Sequence, residues 1–309
     1  MDYVLETKSL LKSYRHVEAL SGVDMHVPKD SIYGLVGRNG AGKTTLMRVV
    51  AGMQKENGGT YLLFGVDKNS REIKKERKRV GAMIESPAIF HDLSAEDNLK
   101  MQYRILGLPS FESISEILAT VGLENTGKKK AGSFSFGMKQ RLGIAMAIAG
   151  NPDLLILDEP INGLDPEAIV EMRELILRLN REMNMTIIVS SHILDELAKV
   201  ATYYGFLDSG RMVKEVSAVD MEKECRKAVR IKVESIEKAV IALTELGNEY
   251  SVIDDNTIDV FGDIGIKEVI DGLSGAGIKD IEKRNENLEG YFINTMGQVY
   301  EKTNQSRLT

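Results

Sequence analysis

Residues 31–52 read SIYGLVGRNGAGKTTLMRVVAG and contain the stretch that decides the fold. Their spacing matches the G-x-x-x-x-G-K-[ST] pattern of a phosphate-binding loop, at Gly37, Gly42, Lys43 and Thr44. The apolar run at 32–36 predicts a buried strand before the loop, and residues 44–51 predict a helix that the next glycine can end. Because the motif requires a strand before it and a helix after it, this context argues against a chance match in a glycine-rich turn.

The residue types of this loop explain how it would bind phosphate. Glycines allow a tight turn with inward-pointing backbone N–H groups, and the helix N-terminus adds a positive end to that nest. Lys43 can then reach the β- and γ-phosphates, and the Thr44 hydroxyl is placed to ligate Mg²⁺. The positions predicted to contact the nucleotide are Gly37, Arg38, Asn39, Gly40, Ala41, Gly42, Lys43, Thr44 and Thr45.

Composition restricts the class of protein. The 309 residues are 43% hydrophobic and 28% charged, which is ordinary for a globular chain with one full α/β domain and a smaller one. No apolar run approaches the roughly 18 to 20 residues that span a bilayer, and the first 20 residues carry several charges, so we expect neither a membrane span nor a secretion signal. A single cysteine, Cys225, excludes an internal disulfide and fits a reducing compartment.

Charge is unevenly distributed along the chain. From Asp220 onward there are 18 acidic and 12 basic residues, which accounts for the whole net charge of −6. Since nucleic-acid-binding surfaces are basic, this acidic end argues against a nucleic-acid partner.

Two further apolar runs are followed by polar residues. Residues 154–157 (LLIL) predict a strand buried on both faces, followed by Asp158 and Glu159, and residues 186–190 precede Ser191 and His192. Carboxyl ends of parallel strands form the edge at which open α/β sheets bind ligands. Residues 94–150, which precede the first of these runs, are predicted to be almost wholly helical, and a capping box at Ser94 and Asp97 predicts that a helix begins there and covers 95–106. A strongly charged helix is predicted over residues 70–79. Three buried strands therefore deliver polar groups to one edge.

These motifs, in this order, resemble the nucleotide-binding subunit of an ATP-binding cassette (ABC) transporter, over about residues 3–217. The resemblance implies a P-loop NTPase ABC cassette at 1–217, an α/β fold with a mixed sheet core and an α-helical subdomain at about 87–150. A small C-terminal α+β domain would follow at 225–309. The ligands that the resemblance implies are ATP and Mg²⁺.

The resemblance also assigns roles to single residues. Tyr14 is the adenine-stacking position, although the local sequence fits a tyrosine at a sheet edge equally well. Asp158 is the Walker B carboxylate that holds Mg²⁺, Glu159 the general base, Asp165 the D-loop aspartate and His192 the switch histidine. Without the preceding motifs, that histidine would be interpreted as an ordinary core residue. The catalytic set implied by the family is Lys43, Glu159 and His192.

The signature motif departs from the family pattern. Residues 134–138 (FSFGM) stand where the family usually has LSGGQ, so that a phenylalanine and a methionine replace the first glycine and the glutamine. Ser135 and Gly137, which would supply the hydroxyl and backbone contacts, remain. The family mechanism uses two cassettes, and each ATP would lie between the phosphate loop of one protomer and the Ser135 and Gly137 of the other. A homodimer is the expected arrangement.

Glu85 is a second departure, because most of the family has a glutamine there that touches Mg²⁺ and the transmembrane partner. A carboxylate can still ligate Mg²⁺, so the implied metal positions are Thr44, Glu85 and Asp158. Its added negative charge near the γ-phosphate is expected to slow or retune hydrolysis.

The IESP stretch at Glu85 and the SFGMKQR signature are similar to bacterial cassettes that serve peptide-antibiotic export and immunity, such as those for bacitracin and lantibiotics. This implies an ATPase on the cytoplasmic face of the cell membrane, attached through a separate transmembrane permease. Two alternatives are weaker. A soluble ABC ATPase acting on ribosomes, DNA or cofactor assembly usually has paired cassettes or long coiled coils, and Glu159 disfavours a binding module without turnover.

The tail domain carries no recognisable chemistry. Its pattern predicts the order strand, helix, strand, strand, helix, strand, followed by a short helix over 288–295. That order is typical of a small ferredoxin-like sandwich, and we expect a regulatory or dimer-supporting role.

Overall fold

The computed structural model describes residues 2–225, 227–262, 266–285 and 288–305. The chain divides into two compact units, Met1–Ala218 and Val219–Thr309. Within the described residues, none of the helices combines the length and the apolar character needed to cross a bilayer.

The first unit contains two sheets and seven α-helices among its described residues. Its strands are β1 (Tyr3–Tyr14), β2 (Val17–Pro28), β3 (Ile32–Val36), β4 (Gly58–Leu63), β5 (Val66–Asp67), β6 (Val80–Met83), β7 (Leu154–Leu157), β8 (Thr186–Ser190), β9 (Tyr203–Asp208) and β10 (Arg211–Ser217). Its helices are α1 (Lys43–Val50), α2 (Ile73–Glu76), α3 (Ala95–Leu106), α4 (Ile114–Thr120), α5 (Phe136–Ile148), α6 (Pro166–Met183) and α7 (Leu194–Ala198).

The larger sheet has the strand order β10-β9-β3-β8-β7-β6. Strands from β9 to β6 run parallel, and β10 pairs antiparallel with β9 at the edge. Every residue of β3, β7 and β8 is buried, as expected for strands covered on both faces. The predicted strands at 32–36, 154–157 and 186–190 are confirmed, and together they place the phosphate-binding loop beside Asp158.

The smaller sheet is antiparallel, with the order β2-β1-β4-β5. A polar cluster joins it to the larger sheet: Glu215 on β10 accepts hydrogen bonds from the Tyr33 hydroxyl at 2.6 Å and from the His26 backbone N–H at 2.8 Å. Burial, and then the adjacent Glu215 carboxylate, raise the pKa of the Tyr33 phenol. The tyrosine therefore remains neutral and serves as the donor in this contact.

Two features of the first unit differ from the sequence prediction. The charged helix predicted over residues 70–79 is a single turn, α2, followed by a 3-10 turn over Arg77–Arg79, because Ile73 and Glu76 are its only buried residues. Strands β9 and β10 were not predicted. Gly205 lowers the strand propensity of the β9 segment, which explains why this strand was missed. A glycine is nevertheless required at this position, because a Cβ there would lie 2.0 Å from the Tyr33 hydroxyl oxygen.

The described residues of the second unit form one antiparallel sheet. Its elements, after α8 (Ala218–Glu224), are β11 (Lys227–Val233), α9 (Ile236–Glu245), β12 (Glu249–Asp254), β13 (Thr257–Phe261), α10 (Ile266–Gly272), β14 (Ile278–Asn285) and α11 (Leu288–Gln305). The strand order is β12-β13-β11-β14, an arrangement found in ferredoxin-like sandwiches. Helix α11 continues beyond the predicted end at residue 295, since one glycine, Gly297, weakens a helix without ending it.

Candidate functional site

The phosphate-binding loop connects β3 to α1, and two of its glycines, Gly37 and Gly42, occupy positions that exclude a side chain. Gly42 has φ 107°, and a Cβ there would lie 2.5 Å from the Ala19 carbonyl oxygen. A Cβ on Gly37 would lie equally close, 2.5 Å, to the Leu207 carbonyl oxygen. Because backbone atoms on neighbouring strands cannot easily retreat, both positions require glycine.

Lys43 is the first residue of α1, and its side chain lies over this loop. The residue is 7% exposed, and its Nζ donates a hydrogen bond to the Gly37 carbonyl oxygen at 2.7 Å. The same Nζ is 3.7 Å from Glu159 Oε1. A buried ammonium, a glycine cradle and a helix N-terminus together fit a chain of negatively charged phosphates.

Asp158 follows β7 at the carboxyl edge of the sheet, and both of its oxygens are engaged. Thr44 Oγ1 donates to Asp158 Oδ2 at 2.7 Å, and Ser190 Oγ donates to Asp158 Oδ1 at 2.6 Å. The structure therefore brings two of the three predicted metal positions into direct contact. The Thr44 hydroxyl and the Asp158 carboxylate, whose residue is 3% exposed, are the hard oxygen donors that Mg²⁺ prefers, so these residues fit that ion.

Glu159 and His192 are also in contact. His192 Nδ1 lies 2.7 Å from Glu159 Oε2, and the His192 backbone N–H donates to the same oxygen at 3.2 Å. Glu159 has φ 50°, a left-handed conformation that is uncommon for a residue with a side chain. Its backbone N–H donates to Ser190 Oγ at 2.9 Å.

Ser190 is a residue of this site that the sequence analysis missed. It closes the apolar run of β8, and a serine at the end of an otherwise apolar strand was interpreted only as part of that strand. The available signal was its position two residues before His192, on a strand predicted to end at the same sheet edge as Asp158.

Glu85 follows β6 in a left-handed conformation, φ 67°. Its carboxylate forms an ion pair with Arg48 of α1 at 2.5 Å, and its side chain is 59% exposed. Arg48 was also missed by the sequence analysis. In this arrangement the guanidinium offsets the negative charge that Glu85 introduces.

The signature residues form a second cluster at the starts of α5 and α6. Ser135 is the N-cap of α5 and accepts a hydrogen bond from the Met138 N–H at 3.2 Å, while Asp165 caps α6 by accepting from the Ala168 N–H at 2.8 Å. A Cβ on Gly137 would lie 3.3 Å from the Ala168 Cβ. The signature turn and the D-loop therefore pack against each other within one chain.

Tyr14 is the last residue of β1 and is 39% exposed. Its hydroxyl donates to the Gln54 side chain, and the Lys12 ammonium lies 5.1 Å from the centre of its ring. An exposed tyrosine ring held from its hydroxyl end can present a face to a planar base.

Comparisons with known proteins agree with this geometry. The ABC transporter family profile matches residues 20–162. The chain is 37% identical to the bacitracin transport ATP-binding protein of Bacillus licheniformis, over 96% of this chain and 98% of the relative. It is 42% identical to a lantibiotic transport ATP-binding protein of Streptococcus pyogenes, over 69% of this chain and 90% of the relative. A Clostridium perfringens protein solved as part of an ABC transporter complex superposes with a TM-score of 0.64, at 27% identity, and covers 80% of this chain and 98% of that one.

Proposed function

This chain belongs to the ATP-binding family of ABC transporters, and on that premise we propose that it energises export of a peptide antibiotic through a separate transmembrane permease. Members of this family bind ATP and hydrolyse it to drive transport, and this chain is an ATPase of that kind. The observation that carries the export proposal is the 37% identity to a bacitracin transport protein, because it extends over 96% of the chain and includes the second unit.

We assign the steps of hydrolysis to the described contacts. Mg²⁺, when bound, neutralises phosphate charge and polarises the γ-phosphate. Thr44 and Asp158 would hold it. Lys43 neutralises charge on the β- and γ-phosphates, and Glu159 accepts the proton of the attacking water. His192, at 2.7 Å from Glu159, orients that carboxylate and is placed to respond to the γ-phosphate.

A second cassette would complete the site. Ser135 and Gly137 begin helix α5, whose N-terminus would meet the γ-phosphate held by the other protomer. Ser135 Oγ accepts from the Met138 N–H and keeps its own hydroxyl proton available for a phosphate oxygen. Closure of two identical chains on ATP and their opening after hydrolysis would drive the permease, with the second unit supporting or regulating that dimer.

Glu85→Gln tests the departure at the end of β6. We expect the variant to hydrolyse ATP faster at saturating Mg²⁺ and to need more Mg²⁺ for half-maximal rate. Each change should be at most about fivefold, because exposed charge interactions contribute up to ~1 kcal/mol. The measurement is phosphate release against Mg²⁺ concentration, and an unchanged profile would rule out a direct role of Glu85 in the site.

A groove in the first unit supports the proposal that this chain binds a permease. It has a volume of about 390 Å³ and runs between β6 and the helices α3 and α5. Four of its lining residues are large, apolar and exposed: Met53, Phe90, Ile105 and Leu106. Such a cleft fits an apolar helix at the cytoplasmic end of a permease, which would hold the chain at the inner face of the membrane.

The test is gentle detergent purification of the tagged chain from its native cells, with mass identification of the co-purifying proteins. We expect a protein with several membrane spans, and we expect Ile105→Glu to abolish its recovery while nucleotide binding persists. The matched control is Ile241→Glu, since Ile241 is similarly exposed (59% against 67%) but lies in the second unit. Recovery of ribosomal or DNA-repair proteins without a membrane protein would instead support the soluble alternative.

A further inference from the structure

Ser190, the last residue of β8, connects the two acidic residues of the site. It is 0% exposed. Its Oγ donates to Asp158 Oδ1 at 2.6 Å and accepts from the Glu159 N–H at 2.9 Å. A buried hydroxyl with one donor and one acceptor partner has a single orientation.

Strand pairing explains this position. β7 and β8 are parallel, and their paired register ends with Leu157 opposite Val189. Asp158 and Ser190 are therefore the next residues on adjacent strands, where side chains on the same face are close enough to bond.

The first consequence concerns the Asp158 carboxylate. Thr44 holds one of its oxygens and Ser190 holds the other, so that the plane of the carboxylate is fixed from both sides. Without the serine hydroxyl, a buried carboxylate oxygen would lose its donor and the group could rotate toward Thr44. Groups that orient a metal ligand in this way commonly tune metal affinity.

The second consequence concerns the Glu159 backbone. Its left-handed φ of 50° is unfavourable for a residue with a side chain, so the surrounding contacts must hold it. The bond from the Glu159 N–H to Ser190 Oγ fixes the peptide that joins the two acidic residues. The direction of the Glu159 side chain toward His192 depends on that peptide.

We propose that Ser190 is a positioning residue that sets the orientation of both Asp158 and Glu159 for ATP hydrolysis. The proposal rests on the roles given to these two residues above. Ser190 acts only through them and is not assigned a contact with the nucleotide.

The test compares Ser190→Ala and Ser190→Thr with the control Thr186→Val. Thr186 is 1% exposed, at the other end of β8, and its Oγ1 accepts from the Asp30 N–H at 2.9 Å. The control therefore also removes a buried hydroxyl from β8, and this hydroxyl likewise accepts a hydrogen bond from a backbone N–H. Four quantities are measured: kcat and KM for ATP, the melting temperature, and the ratio of ATP affinity with Mg²⁺ to that in EDTA.

We expect Ser190→Ala to lower kcat roughly 10- to 100-fold, the usual range for groups that orient metal ligands, and to raise KM for Mg-ATP as the affinity falls. The Mg²⁺-to-EDTA affinity ratio should fall as well, although binding in EDTA stays at the wild-type level. Ser190→Thr keeps the hydroxyl and should restore the ratio. Thr186→Val should lower only the melting temperature.

Two results would overturn the proposal. One is a Ser190→Ala protein with wild-type kcat and affinity ratio, and the other is an equal loss of kcat in Thr186→Val, which would indicate a general packing effect. A wild-type chain that binds Mg-ATP without releasing phosphate would contradict the ATPase assignment, and the affinity ratio would still decide the role of Ser190.

Discussion

Glu159→Gln is expected to lower steady-state ATP hydrolysis roughly 10²- to 10⁴-fold, the usual contribution of a general base. Glutamine keeps the size of the side chain and can still contact His192, but it cannot accept the proton of the attacking water. ATP affinity should be retained, because phosphate binding is assigned to Lys43 and the glycine loop, which this variant leaves unchanged. The measurements are phosphate release and equilibrium ATP binding on the same preparation.

The same variant tests the composite site. Since ATP would remain bound without being cleaved, Glu159→Gln should form a dimer in Mg-ATP that light scattering detects, and it should return to monomer in EDTA. The matched control is Glu174→Gln on α6, an exposed acid that should behave as wild type. Undiminished phosphate release by Glu159→Gln would contradict the assignment of Glu159 as the general base and would indicate that another group activates the attacking water.

Lys43→Ala is expected to lower kcat roughly 10²- to 10³-fold, the cost of removing one preorganised electrostatic contact to a transition state. It should also weaken ATP binding, in contrast to Glu159→Gln, because the buried ammonium faces the loop in which the phosphates would lie. Kinetics and a nucleotide-binding titration separate the two effects.

The control for this variant is Lys55→Ala, which removes an exposed ammonium on the same unit. It should leave kcat and ATP affinity unchanged. If Lys43→Ala bound and hydrolysed ATP as the wild type does, the phosphate loop would not be the site of nucleotide binding.

Much of the larger sheet and of the nucleotide site was predictable from sequence because the decisive signals are local. The apolar runs at 32–36, 154–157 and 186–190 are too short for helices and too apolar for exposed strands, and the structure has strands at these bounds. The same local logic placed helix α3 at Ala95–Leu106, where Ser94 accepts a hydrogen bond from the Asp97 N–H.

The features that escaped prediction depend on which segments become neighbours. The hydrogen bond between Ser190 and Asp158 requires β7 and β8 to be adjacent in a particular register. The sequence of either segment by itself does not determine that pairing. The ion pair between Arg48 and Glu85 joins a helix to a later loop in the same way. Motif spacing predicted the groups to which the reaction is assigned, whereas the contacts that support those groups are seen only in the folded chain.

The order of the larger sheet also determines when during synthesis this chain can acquire its nucleotide site. Strand β3 is paired on one side with β8 and on the other with β9, so that Tyr33 lies opposite both Ile188 and Tyr203. The smaller sheet can form as soon as its last strand, β5, leaves the ribosome. In contrast, β3 cannot pair until β8 and β9, which are synthesised much later, have left the ribosome. Such distant pairing is slow, and nascent or truncated chains that end before β8 expose an unpaired apolar strand that favours aggregation.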